Sequence, residues 1–216
     1  MTIKAVVFDL DGLMFNTEDV FDLAGNELLK RRGLRMTDEI RDGMLGRRPP
    51  EAFAHLVRVT GLKESIESLR AESKEIFTRF LEVHLQPMPS LFDLLGRLER
   101  RGVPKAVATS SPRAYMENIL SRYDLLPRFA ATLTAEDVER GKPAPDIYLK
   151  AAELLGVRTC EMLVLEDSEA GTRAAAAAGA MIVSVPHRHT ARHDFSTASH
   201  VASSLGDPLI HRLLEE

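Results

Sequence analysis

Disulfide bonds are the first feature this chain cannot form within itself: its 216 residues include a single cysteine, Cys160. A lone thiol suits a reducing compartment, and Cys160 reads as a small, partly buried residue without chemistry. Long apolar runs are missing too. No stretch approaches the roughly 18 apolar residues that a membrane-spanning helix needs, so no membrane partner is expected. The first strand is expected to begin within three residues of Met1, which leaves no signal peptide in the reading and makes the expected location cytoplasmic. Positive charge is not in excess either. The 28 Lys and Arg against 32 Asp and Glu give a formal charge of −4, which offers no electrostatic footing for nucleic acid. No internal repeat is seen. The one biased run, Ala174–Ala178, consists of the best helix former and reads as a tightly packed helix. At this length the chain can hold one domain with a substantial core, or a core plus a smaller insert.

What the chain does have is two carboxylates at the end of a short apolar run, in Val6-Val7-Phe8-Asp9-Leu10-Asp11-Gly12. Val and Phe make the run a buried strand, and Asp9 and Asp11 fall where it opens into a turn. Two like charges side by side call for a cation between them, most simply a hard divalent metal such as magnesium. Taken alone, Asp-x-Asp-Gly also fits an ordinary turn with two solvated acids. Three further pieces lie at or near the ends of expected strands: Thr109-Ser110 after Val107-Ala108, Lys142 in Gly141-Lys142-Pro143 at a helix start, and Glu166-Asp167 after Met162–Leu165. In an open parallel sheet, ligands bind outside the carboxyl ends of the strands, so all four pieces can share one crevice. Acids for a metal, a hydroxyl and amides for a phosphate, and a lysine for charge are the inventory of phosphoryl transfer.

Strands are expected near Ile3–Asp9, Pro104–Thr109, Ala130–Thr134, Met162–Glu166 and Met181–Val185. Helices are expected near Ser90–Arg101, Pro112–Tyr123, Pro145–Leu155 and Ser168–Ala178. Such alternation favours an α/β fold, a parallel sheet with helices on both faces. The segment from Asn16 to Pro87 reads differently, with helical patterns and almost no β-rich run. Asn16-Thr17-Glu18-Asp19 is a helix start, and Gln86–Pro89 is the return linker, with Ser90 expected to cap the next helix. The division expected is therefore residues 1–15 and 88–216 as a Rossmann-like core, with residues 16–87 as an inserted α-helical bundle.

The four motifs, in order Asp9-x-Asp11-Gly12, Thr109-Ser110, Lys142-Pro143 and Glu166-Asp167, make the chain resemble the haloacid dehalogenase superfamily. The similarity is to the branch that holds β-phosphoglucomutase and small sugar-phosphate or nucleotide phosphatases. It implies strand order 3-2-1-4-5, with Asp9 on the middle strand and the helical insert as a cap over the substrate. It implies Asp9 as the nucleophile and Asp11 as the general acid and base. Mg²⁺ would be held by the Asp9 carboxylate, the Asp11 carbonyl and Asp167, with Glu166 behind them orienting a metal water. Thr109, the Ser110 amide and Lys142 would bind the phosphoryl group. Each of these segments has an ordinary alternative. Thr109–Pro112 can be a helix cap, Glu166–Ser168 a capped helix start, and Lys142 a solvated loop residue.

The chain also departs from the branch. Asn16 stands where aspartate is usual, though it caps a helix equally well. In the expected cap loop, Gly46 matches the family glycine, but Leu45 and Pro49 replace the lysine and arginine of β-phosphoglucomutase. Arg47 and Arg48 could supply a different substrate contact, or could be a solvated helix edge. The reading is thus a Mg²⁺-dependent phosphatase of a small phosphorylated metabolite, monomeric or weakly dimeric. The alternatives are a phosphomutase and a catalytically silent binding protein on the same fold. His187, His189 and His193, with Arg188 and Arg192, read as a polar loop after the last main strand.

Overall fold

The computed structural model describes residues 2–44 and 49–215. The chain divides into two compact units, Met1–Asn16 with Pro87–Glu216, and Thr17–Gln86. Both boundaries lie one residue from the sequence reading.

The first unit is built on a parallel sheet. Its strands are β1 (Ala5–Phe8), β2 (Lys105–Ala108), β3 (Ala131–Leu133), β4 (Met162–Glu166), β5 (Met181–Ser184) and β6 (His200–Val201). They run in the order β3-β2-β1-β4-β5-β6 and every pairing is parallel. Every residue of β1, β2 and β4 is buried, because a parallel strand is covered on both faces and so reads as a near-continuous apolar run, here with Lys105 at the start of β2 and Glu166 at the end of β4 as the charged exceptions. The expected order 3-2-1-4-5 is present. The sixth strand was not expected, since two residues are too short to form an apolar pattern.

Helices α5 (Leu91–Arg100), α6 (Arg113–Ser121), α7 (Asp146–Leu155), α8 (Glu169–Ala178) and α9 (Pro208–Leu213) belong to the same unit. One face of the sheet packs Val7, Ala106, Ala108 and Val164 against Ile147, Tyr148 and Ala151 of α7 and Ala174, Ala175 and Ala178 of α8. Alanines let α8 lie close, and Gly171 in its first turns is needed for space. A Cβ there would sit 1.6 Å from Glu166 Oε1. One expectation fails: Ser90 precedes α5 with left-handed backbone (φ 66°) and makes no side-chain cap. Its Oγ instead lies against Gly206, where an added Cβ would be 2.5 Å away.

The second unit is helical: α1 (Thr17–Lys30), α2 (Asp38–Met44), α3 (Pro49–Thr60) and α4 (Ile66–His84). Helices α1 and α4 pack along one another. Phe21 stacks on Phe77 at 3.9 Å, and Arg32, just past α1, lies 2.5 Å from both Glu64 and Glu72. Ser65 caps α4 by accepting from Ser68 N–H. Among the described residues no helix is long and apolar enough to cross a membrane.

Candidate active site

Strand register sets the site. Phe8 pairs with Val107 on one side and Leu165 on the other. The next residues along the three neighbouring strands, Asp9, Ala108 and Glu166, therefore emerge in a row at the carboxyl edge of the sheet. This is the point where strand order reverses, with β2 on one side of β1 and β4 on the other, and where parallel sheets place their ligands.

Lys142 ties that row together. Its ammonium donates to Asp9 Oδ1 at 2.6 Å, to Glu166 Oε1 at 2.6 Å and to the Ala108 carbonyl at 2.9 Å. Its side chain is only 4% exposed. Burial works against the cation, but the two carboxylates outweigh it and hold the lysine pKa well above its ordinary value. Glu166 is fully buried, and its two oxygens accept from five donors. Lys142 and the Tyr148 hydroxyl (2.8 Å) reach Oε1, while the amides of Asp167 and Ser168 and the Ser168 hydroxyl reach Oε2. Burial alone would raise the Glu166 pKa; Lys142 and these donors bring it below the ordinary range. Asp9 goes the other way. Burial raises its pKa, Lys142 opposes, and Glu166, Asp167 and Asp11 push it higher still.

Asp11 faces the β2–α6 turn. Its Oδ2 accepts from Ser111 Oγ at 2.7 Å and from Thr109 Oγ1 at 3.3 Å, and its Oδ1 accepts from the Tyr115 hydroxyl at 2.8 Å. Thr109 in turn accepts from the Ser111 amide at 3.0 Å. Ser110 is exposed on the same turn. Asp167 lies across the β4 end, 4% exposed, with Oδ2 2.9 Å from His187 Nε2. Gly12 has φ +77°, and a Cβ on it would fall 2.5 Å from Asp167 Oδ2 and 2.6 Å from His187 Nε2. Only glycine both adopts this turn and leaves that room. Ser168 caps α8 by accepting from the Gly171 amide.

Asp9, Asp11, Thr109, Ser110, Lys142, Glu166 and Asp167 thus all lie at one edge of one sheet. Gly46, Arg47 and Arg48 lie outside the described residues. Sequence reasoning missed Ser111, Tyr115, Tyr148 and His187. Ser111 had a signal, since it sits beside Thr109-Ser110. Tyr115 and Tyr148 look like helix residues until their hydroxyls are placed, and His187 was assigned to a polar loop.

Four carboxylates share this edge with one lysine, a surplus of negative charge around Asp9. Oxygen donors of this kind suit a hard cation. Among the described residues no three His, Cys, Asp or Glu side chains converge into a closed metal cage. Magnesium needs none, because it takes one or two carboxylates and fills its remaining positions with water and phosphate.

A family profile described as haloacid dehalogenase-like hydrolase matches residues 3–179. The validoxylamine A 7'-phosphate phosphatase of Streptomyces hygroscopicus subsp. limoneus is 34% identical over 195 residues, 87% of this chain and 88% of that protein. The bifunctional riboflavin kinase/FMN phosphatase of Arabidopsis thaliana is 30% identical over 205 residues; this chain spans 54% of its length. A crystal structure of a HAD family hydrolase from Deinococcus radiodurans R1, with bound phosphate and sodium, superposes with a TM-score of 0.84 at 26% identity. That match covers 99% of this chain and 96% of the other. Hydrolases of this family generally use Mg²⁺. On the family match and this sheet edge together, the chain belongs to the haloacid dehalogenase-like hydrolases.

Proposed function

We propose that the protein is a Mg²⁺-dependent phosphatase that hydrolyses a small phosphorylated metabolite, such as a sugar phosphate, a nucleotide or a phosphoglycolate-like ester. The observation that carries this reading is the line Asp9–Lys142–Glu166. It fixes one buried carboxylate at the switch point of the sheet, with a lysine on it and a second carboxylate behind the lysine.

In this reading Asp9 attacks phosphorus and forms an aspartyl-phosphate, which divides the transfer into two easier steps. Lys142 stays charged throughout and neutralises both Asp9 and the incoming phosphoryl oxygens. Glu166 has all of its oxygen capacity engaged, so it acts by holding Lys142 and the Asp167–Ser168 turn. Asp11 leaves its hydroxyl partners to protonate the departing alkoxide, then takes a proton from the attacking water. Thr109 and the Ser110 amide, at the start of α6, offer donors to the phosphoryl group. Mg²⁺ would be held by the carboxylates of Asp9 and Asp167 and the Asp11 carbonyl. Bound there, it would neutralise developing charge on the phosphoryl group and keep Asp9 ionised. The unit Thr17–Gln86 is assigned the part of a cap that selects the substrate. Hydrolysis is preferred to mutase chemistry because Leu45 and Pro49 stand where β-phosphoglucomutases carry cations.

The test is phosphate release from a panel of phosphorylated metabolites, with Mg²⁺ and with EDTA, for the wild type and Asp9→Asn. The wild type should release phosphate only with the metal, and Asp9→Asn should fold normally and release none. An Asp9→Asn variant that keeps most of its turnover at saturating Mg²⁺ would overturn the covalent mechanism.

A further inference from the structure

Beyond the four motifs, the loop after β5, which none of them includes, also reaches this site. His187 follows β5, and its Nε2 lies 2.9 Å from Asp167 Oδ2. The ring is held by its own loop. His187 N–H donates to Thr190 Oγ1 at 3.1 Å, and Thr190 N–H returns a bond to the His187 carbonyl at 3.0 Å. Nδ1 accepts from the His189 amide at 3.3 Å. A nitrogen that accepts from an amide carries no proton, so the ring hydrogen sits on Nε2 and is donated to Asp167. The loop is fastened at its far end too. His193 Nδ1 accepts from the Glu169 amide at 3.3 Å, and the Asp194 amide donates to Glu169 at 3.2 Å.

Two consequences follow from this arrangement. With its proton on Nε2, His187 cannot itself ligate a cation through that nitrogen. It can hold one oxygen of Asp167 in place and so fix the orientation of the carboxylate. The absent Cβ of Gly12 provides the space in which the pair meets.

We propose that His187 is a positioning residue that orients the Asp167 carboxylate and thereby sets the affinity of the site for Mg²⁺. The inference rests on the assignment of Asp167 as a metal ligand made above. Neighbours that hold a ligating group in place typically contribute 10–100-fold to metal affinity.

The experiment is titration of MgCl₂ into the 216-residue chain, stripped of metal and phosphate, followed by isothermal calorimetry. The variants are His187→Ala, His187→Gln and Asp167→Ala. His187→Ala should raise the dissociation constant about 10–100-fold, while His187→Gln, whose amide can present N–H near the same point, stays within about threefold of wild type. Thermal melting without metal should be similar for the wild type and both His187 variants, which separates metal binding from folding. Unchanged affinity in His187→Ala overturns the proposal. So does equal weakening in Ala and Gln, because ring packing and not the donated proton would then be at work. If Asp167→Ala binds Mg²⁺ as the wild type does, the metal assignment itself has failed. If Asp167→Ala loses binding while His187→Ala keeps it, only the inference about His187 has failed.

Discussion

Replacing Lys142 by Met keeps the length of the side chain and removes its charge, which leaves Asp9 and Glu166 buried without their shared cation. Removing one partner of a buried ion pair costs about 3–5 kcal/mol, and the stranded Ala108 carbonyl adds about 1 kcal/mol. Proton uptake limits the loss. From an ordinary carboxyl pKa of 4.5, neutralising Glu166 at pH 7 costs about 3 kcal/mol at 1.36 kcal/mol per pH unit. The deficit at pH 7 should therefore lie near 3–5 kcal/mol, the variant escaping larger costs by taking up a proton.

The sign of the pH dependence follows from the same groups. In the wild type the folded pKa of Glu166 is depressed, so its contribution is full above 4.5 and fades as pH falls below that. The folded pKa of Lys142 is raised, so its contribution is full below 10.5 and fades as pH rises through the folded value. The variant's deficit should be greatest between these limits. At pH 4.5 Glu166 takes a proton at little cost, and the deficit should shrink to about 1 kcal/mol. The chain has no tryptophan, so urea unfolding is best followed by circular dichroism, in EDTA to exclude metal. The double variant Lys142→Met/Glu166→Gln should recover part of the loss at pH 7. A deficit below about 1 kcal/mol at pH 7 would refute the reasoning, as would one of equal size at pH 7 and 4.5.

The remaining predictions concern the acid and the space around Glu166 and Lys142. Asp11→Asn should slow hydrolysis of an alkyl phosphate about 10²–10⁴-fold and barely affect an aryl phosphate, whose leaving group needs no proton; equal losses in steady-state rates would argue against Asp11 as the acid. Gly171→Ala places a Cβ 1.6 Å from Glu166 Oε1 and should cost at least about 1–3 kcal/mol in urea unfolding, the usual range for overpacking. Gly141→Ala, with nothing within 4 Å of the new atom, should stay within about 0.5 kcal/mol of the wild type.

Much of the fold was legible because its signals are local. The β1 strand and the Met162–Leu165 part of β4 announce themselves as apolar runs, and three of the four site motifs lie just beyond the end of such a run. Where the signal was short or indirect, reading by residue type failed. Two residues of β6 carry no period. Ser90 looks like a cap by its side chain, but its left-handed backbone turns the hydroxyl away from the helix it precedes. The site divides along the same line. Asp9, Asp11 and Asp167 could be found because charged residues in a turn after an apolar strand need a reason to be there, whereas Lys142, ahead of α7 and nine residues past β3, gained its weight only from the other motifs.

Tyr115, Tyr148 and His187 could not be found this way, since each has an ordinary reason to be where it is. Tyr148 is a buried helix residue in the apolar layer, and only its hydroxyl, 2.8 Å from Glu166, belongs to the site. His187 reaches Asp167 because β5 lies beside β4 in the sheet, a neighbour relation set by pairing 20 residues away in sequence. Residues that carry charge to a site are exposed by composition and position. Those that hold the charge still are defined by three-dimensional contact, and the carboxylates here are held by such contacts: three hydroxyls on Asp11, a phenol on Glu166 and an imidazole on Asp167. Variation at Tyr115, Tyr148 or His187 should therefore change how well the site is organised while leaving its recognisable motifs intact.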